Sequence, residues 1–172
     1  ILYERYANGY NRTKPHYTAS MAKAVVGGLS LMLAMDDGLI RLEDPASKFV
    51  PQWRGVPLKE DISVGQLATH TSGLADATET GVKHRERSGW KGAFWRRGQE
   101  PDDPFTQARD AAPVMFEPGT AAQYSNPGIA MLTYCVTAAI QGTRHDDIKS
   151  LIHERIMAPL GIPADEFRMG YD

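Results

Sequence analysis

The sequence predicts a mostly helical chain with one strand at its front. Three observations carry that reading. Apolar residues recur at helical spacing after Ser20, after Asn126 and after Asp146. Capping residues, prolines and glycines punctuate the stretches between them. Only the opening residues, ILYERYA, alternate as a strand does, and the NGY that follows is a hairpin-type turn signal. A chain of 172 residues can enclose a real core, and residues 1–172 are read as one domain.

Each element has its own signal. Ser20 opens the first helix as its N-cap, with Val25, Val26, Leu29 and Leu33 at helical spacing. Gly38 closes that helix, because glycine takes the left-handed conformation that ends many helices. LEDPASKFVPQW is a turn-rich connector marked by Pro45 and Pro51. Ser63 caps a short helix, Gln66 completes a capping box, and Ile62 with Leu67 supplies a hydrophobic staple. This helix stops near His70, and TSGL turns the chain. Residues 75–105 form a long irregular excursion, in which Trp90, Phe94 and Trp95 argue against plain disorder. FTQARDAAPVMF reads as a helix. Asn126 and Pro127 are the N-cap and first-turn pair of the next one, which Gly142 ends. Asp146 caps the last, where Ile148, Leu151, Ile152 and Ile156 share a face.

Composition narrows the function. The chain is 42% hydrophobic and 23% charged, an ordinary globular balance. Its formal net charge is −2, so no basic face is implied and nucleic acid is a poor partner. Cys135 is the single cysteine, so no intrachain disulfide can form; within AMLTYCVTAAI it reads as a buried, inert thiol. His16, His84, His145 and His153 show no metal-ligand spacing, and no metal or cofactor is expected. The longest apolar stretch, AVVGGLSLMLAM, is shorter than a membrane span. The opening residues do not resemble a signal peptide. The abrupt start and the ending EFRMGYD suggest a piece of a longer protein.

The stretch YTASMAK raises a chemical question. Position three after the cap is where a helix favours Glu or Gln, and here it is Lys23. Ser20 and Lys23, three apart, share a helix face, so the amine can reach the hydroxyl. A lysine that takes the serine proton would activate it without histidine. Backbone N–H groups at the helix start would stabilise an oxyanion there. A Ser-x-x-Lys pair alone is common by chance.

The context makes it specific. YTASMAK is followed about a hundred residues later by YSNPG, with ATHTSGL between them. AMDDGLIRLEDPASKFVP and DISVGQLATHTSGL add to the match. Together these segments resemble the serine β-lactamase and penicillin-binding protein superfamily, most closely its class C branch, over nearly the whole chain. That branch includes β-lactamases, D-alanyl-D-alanine carboxypeptidases, esterases and nylon-oligomer hydrolases. The resemblance implies an α/β (α+β) fold of the β-lactamase/transpeptidase type, of which this chain holds mainly the helical region and an N-terminal strand. It implies Ser20 as the acylated nucleophile, Lys23 as its partner, Tyr124 as the proton relay of the Tyr-x-Asn motif, and Asn126 as a substrate-binding residue. The family's third motif, Lys-Thr-Gly or a variant, is not found in residues 1–172, nor are the sheet strands that carry it. These are expected beyond Asp172.

The implied activity is a serine hydrolase acting through an acyl-enzyme on a small-molecule amide or ester: β-lactam, D-Ala-D-Ala peptide, short ester or linear amide. The excursion at 75–105 favours an esterase or an amide hydrolase of the nylon-oligomer type. The alternative is a non-catalytic penicillin-recognising sensor. The resemblance also favours a periplasmic or extracytoplasmic location. His70 with Ser72 is rejected as a catalytic pair, because residues two apart do not face each other and no G-x-S-x-G elbow surrounds Ser72; HTSGL is read as a structural turn. HRER and WRR are read as solvated charge, with Arg87, Trp90 and Trp95 as candidates to line a substrate mouth.

Overall fold

The computed structural model describes residues 2–96, 104–166 and 169. A short 3₁₀ turn, Ala19–Met21, leads into a π-helical turn, Lys23–Gly28, and then α1, Leu29–Asp36. Helix α2 spans Val64–Ala68 and α3 Gly89–Trp95. Helix α4, Pro104–Thr106, runs into a π-helical turn at Gln107–Ala111. Helix α5 covers Asn126–Ile140, and α6, Ile148–Ile152, continues as a π-helical turn to Met157.

The core gathers around α5, which packs against α1, α2, α4 and α6. Its Met131, Leu132, Cys135, Val136 and Ile140 are buried at helical spacing. Gly27 lets the turn before α1 approach closely: a Cβ there would lie 3.4 Å from Ile129 Cγ2. Trp53, fully buried, and Lys59 close the other side, Trp53 Nε1 and Lys59 Nζ both donating to the Arg109 carbonyl at 2.9 and 2.7 Å. Burial holds the Lys59 ammonium below the ordinary lysine pKa, against the opposing pull of Asp110.

Several local signals were legible. Gly38, at φ +70°, ends α1 in a Schellman motif, with Leu39 N–H donating to Ala34 O and Gly38 N–H to Met35 O. Ser63 and Gln66 form the expected capping box, and Ile62 and Leu67 are both fully buried. Cys135 is buried, its thiol pushed up to about 12 by desolvation.

Other expectations are corrected. No strand forms among the described residues: residues 2–7 of the predicted front strand are exposed and irregular, and Ile1 lies outside the described residues. A strand needs a neighbour for its backbone groups, and among the described residues none pairs with this segment. Isolated bridges join Pro45 with Ser63 and Leu74 with Val114. Ser20 caps nothing, because its hydroxyl is engaged by side chains instead. Ser125, one residue before the predicted Asn126, caps α5 by accepting from Gly128 N–H. Asp147 rather than Asp146 caps α6, in a box with Ser150. The helix predicted from Phe105 ends at Ala111, where the chain turns to pair Val114 with Leu74. In the excursion, α3 and a 3₁₀ turn at His84–Glu86 form, and residues 97–103 lie outside the described residues.

The helical run Ala19–Asp36 is long and apolar enough, by length and composition, to match a membrane span, with mean hydropathy 1.3. The core helix of a soluble protein passes the same test. Met21, Val25, Met32 and Met35 along it are exposed.

Two outcomes follow from the packing. Ser63→Ala should lower stability by about 1 kcal/mol, read as a lower thermal midpoint by circular dichroism; an unchanged midpoint would remove the cap's contribution. Cys135 should resist a thiol reagent in the native state and react only on unfolding. Prompt native reaction would contradict its burial.

Candidate active site

Ser20 and Lys23 sit at the start of the α1 run, one turn apart. Lys23 Nζ donates to Ser20 Oγ at 3.1 Å. Tyr124 arrives from 104 residues away, its Oη 2.9 Å from Ser20 Oγ. Lys23 Nζ also lies 5.0 Å from the centre of the Tyr124 ring. The three polar groups thus meet at one oxygen, which stands exposed at the surface. Ala19, immediately before the serine, has φ +46°, a conformation that costs a residue with a Cβ about 1–2 kcal/mol. Such outliers persist only where surrounding structure imposes them, and they cluster at functional sites.

A second segment sets the position of Tyr124. The turn after α2 pairs with the chain that approaches α5. Ala75 N–H donates to Pro113 O, Met115 N–H to Gly73 O, Gly119 N–H to Thr71 O and Gln123 N–H to His70 O. Gly73, at φ +76°, is required there: a Cβ would lie 2.4 Å from Phe116 O. His70 Nδ1 accepts from Ser125 N–H at 3.2 Å, and its ring lies 4.8 Å from that of Tyr124, centre to centre. Burial holds the His70 pKa below its ordinary 6.5, and Lys23 adds to this against the opposing charge of Asp76.

Asp76 completes the seam. Its Oδ1 accepts from Asn126 N–H at 2.9 Å and Asn126 Nδ2 at 2.8 Å, and Thr78 donates to Oδ2. Burial pushes the carboxyl pKa up, but these hydrogen bonds together outweigh it and leave it below the usual carboxylate value. Asp76 therefore keeps its charge below the pH at which a free aspartate loses it.

Tyr124 opens onto a cavity of about 540 Å³, lined by Ala75, Asp76, Thr78, Trp90, Lys91, Pro113, Met115, Gln123 and Tyr124. That volume suits a small molecule. The excursion contributes Ala75, Asp76, Thr78, Trp90 and Lys91 to it. Arg87 and Trp95, expected at a substrate mouth, turn inward instead. Arg87 is buried and donates to the carbonyls of Ala77, Glu79 and Val82, while Trp95 Nε1 donates to Ala77 O. They hold the loop together, because a buried guanidinium needs acceptors and the loop supplies three. Gly92 is needed beside them: a Cβ would lie 2.1 Å from Arg87 O.

Of the four residues singled out from sequence, Ser20, Lys23 and Tyr124 come together. Asn126 follows Tyr124 by two residues, and its Nδ2 donates to Asp76 Oδ1. Sequence reasoning passed over His70 and Asp76. The partners of His70 are Tyr124 and Ser125, more than fifty residues away and invisible to local spacing. Among the described residues, no group of three or more His, Cys, Asp or Glu is arranged to hold a metal.

Known proteins share this architecture. The chain is 29% identical over 150 residues to the D-alanyl-D-alanine-carboxypeptidase/endopeptidase AmpH of Escherichia coli K12, covering 84% of this chain and 34% of that protein. It therefore spans about a third of the length of that curated relative. The solved D-alanine carboxypeptidase AmpC of Burkholderia cenocepacia superposes with a TM-score of 0.56 at 25% identity, covering 86% of this chain and 36% of that one. The D-amino acid amidase of Ochrobactrum anthropi SV3 superposes with a TM-score of 0.55 at 25% identity, covering 83% and 35%. These likenesses place the helices described above in a β-lactamase-like fold. The Beta-lactamase family profile matches residues 1–168, and the chain belongs to that family.

Proposed function

We propose that the protein is a serine hydrolase that works through an acyl-enzyme on an amide or ester carbonyl. The observation that carries this is the meeting of Lys23 Nζ and Tyr124 Oη at Ser20 Oγ. Two proton-exchanging groups within hydrogen-bond reach of one exposed hydroxyl are what an activated nucleophile requires.

The steps follow from that contact. Ser20 Oγ attacks the carbonyl carbon, and its proton passes to the Lys23–Tyr124 pair. These two act as one coupled unit. Negative charge gathers on the carbonyl oxygen, near the backbone N–H groups at the start of the α1 run. The carbon–nitrogen or carbon–oxygen bond breaks, and the pair returns the proton to the leaving amine or alcohol. Water then attacks the Ser20 ester and gives its proton to the same pair; the carbon–Oγ bond breaks, the pair returns the proton to Ser20 Oγ, and the acid is released. Tyr124 Oη touches Ser20 Oγ, within reach of the bond that breaks, so it can serve the leaving group. Asn126, bonded to the cavity-lining Asp76, is kept as the candidate substrate-binding residue.

The substrate class can be narrowed. AmpH, the Burkholderia carboxypeptidase and the Ochrobactrum amidase are each named for D-amino acid chemistry. We therefore infer an amide whose acyl part is a D-amino acid residue. The cavity at Tyr124, with Trp90 and Met115 in its wall, is placed to take the side chain. The sheet that the family resemblance implies would cover the exposed row Met21, Val25, Met32 and Met35.

Kinetics of the whole protein test this reading. Ser20→Ala should abolish turnover. Lys23→Ala should reduce acylation by a factor of at least about 100 while leaving the far-ultraviolet spectrum intact. Tyr124→Phe should keep the packing and lose a similar factor. Near-normal turnover in any of the three would remove that residue from the mechanism. D-alanine p-nitroanilide should be cleaved in preference to its L-enantiomer; equal rates or an L preference would overturn the D-substrate assignment without touching the serine mechanism.

A further inference from the structure

We propose that His70 is the positioning residue for Tyr124: its neutral ring holds the phenol against Ser20 and Lys23. This rests on the serine-hydrolase reading above and adds a residue to it. Three contacts converge. The His70 carbonyl accepts from Gln123 N–H at 2.9 Å, and its Nδ1 accepts from Ser125 N–H at 3.2 Å. The residues on both sides of Tyr124 are therefore tied to one histidine. The imidazole also lies along the Tyr124 ring, centroids 4.8 Å apart with 31° between planes.

The backbone of His70 is built for this. Its φ is +60°, a left-handed conformation uncommon for any residue with a Cβ. With that conformation, the carbonyl engages residue 123 while the ring engages residue 125. Ser125 is buried, so its N–H has no solvent alternative if Nδ1 is withdrawn.

Accepting at Nδ1 requires that nitrogen to be unprotonated, which places the ring proton on Nε2. The charged groups facing the imidazole are Lys23 and Asp76, and Tyr124 is its titratable neighbour. Burial and Lys23 keep the ring neutral against Asp76. As pH falls through the lowered His70 pKa, protonation turns the acceptor into a donor aimed at another donor. It also sets a second cation beside Lys23. The Tyr124 segment then loses its tie: stability falls as pH drops below the ordinary 6.5, and acylation falls at the lower pH where the folded ring takes up its proton.

Three measurements test this. His70→Ala should lower kcat roughly 10- to 100-fold, the scale of a misplaced catalytic group, with KM changed much less. His70→Asn should recover most of that loss, because asparagine tolerates the left-handed conformation and offers an amide oxygen near the place of Nδ1. The acid limb of the wild-type kcat profile should lose its His70 step in His70→Asn. Unchanged kcat in His70→Ala, or an acid limb that persists unaltered in His70→Asn, would overturn the assignment. If His70→Ala fails to fold, the His70→Asn profile alone decides. Loss of turnover in Ser20→Ala with normal kinetics in His70→Ala would remove the positioning role and leave the hydrolase reading standing.

Discussion

The hydrogen-bonded seam between residues 70–76 and residues 113–126 decides where Tyr124 stands. Ser20 and Lys23 need no such help, because one helical turn brings them together. Tyr124 is 104 residues from the serine and precedes a helix by two positions. Its place depends on Gln123 and Ser125, both tied to His70, and on Asn126, tied to Asp76. Gly73 lets the two segments approach closely enough for the ties to form. A change in any of these acts on Tyr124 without touching Ser20 or Lys23.

Two of the four described non-glycine residues at positive φ lie along the same line, Asn8 and Leu58 being the others. Ala19 and His70 both hold positive φ without being glycine. Lys23–Gly28 is π-helical, as are Gln107–Ala111 and His153–Met157 elsewhere in the chain. Each feature makes the local fold less favourable than an ordinary helix or turn would be. The surrounding core offsets this: α5 is packed on several sides and capped by Ser125, whose neighbour in sequence is Tyr124 itself. The central helix of the described fold thus begins two residues after Tyr124.

The sequence revealed the local chemistry well and the long-range ties poorly. The Ser63–Gln66 box and the Gly38 stop depend on residues a few positions apart, and both could be read directly. Ser20, Lys23 and Tyr124 were legible as spaced motifs through family resemblance. Caps off by one, at Ser125 and Asp147, reflect two adjacent residues with similar capping ability, between which only tertiary contacts choose. Ser20 was misread as a cap because its hydroxyl has better partners than the backbone. The predicted strand failed because alternation cannot supply a neighbouring strand. Arg87 read as solvent charge because the three carbonyls that bury it belong to a loop with no pattern of its own.

The central claim is that Ser20 becomes covalently acylated with Lys23 and Tyr124 handling its proton. The most direct test is rapid-quench mass spectrometry of the whole protein turning over a D-alanyl ester, followed by peptide mapping. An acyl adduct on the peptide carrying Ser20, forming in a burst and then decaying as product accumulates, is the predicted result. Turnover with no adduct on that peptide, or with the adduct on another residue, would contradict it. A Ser20 adduct that never decays would make the site a binding module rather than an enzyme.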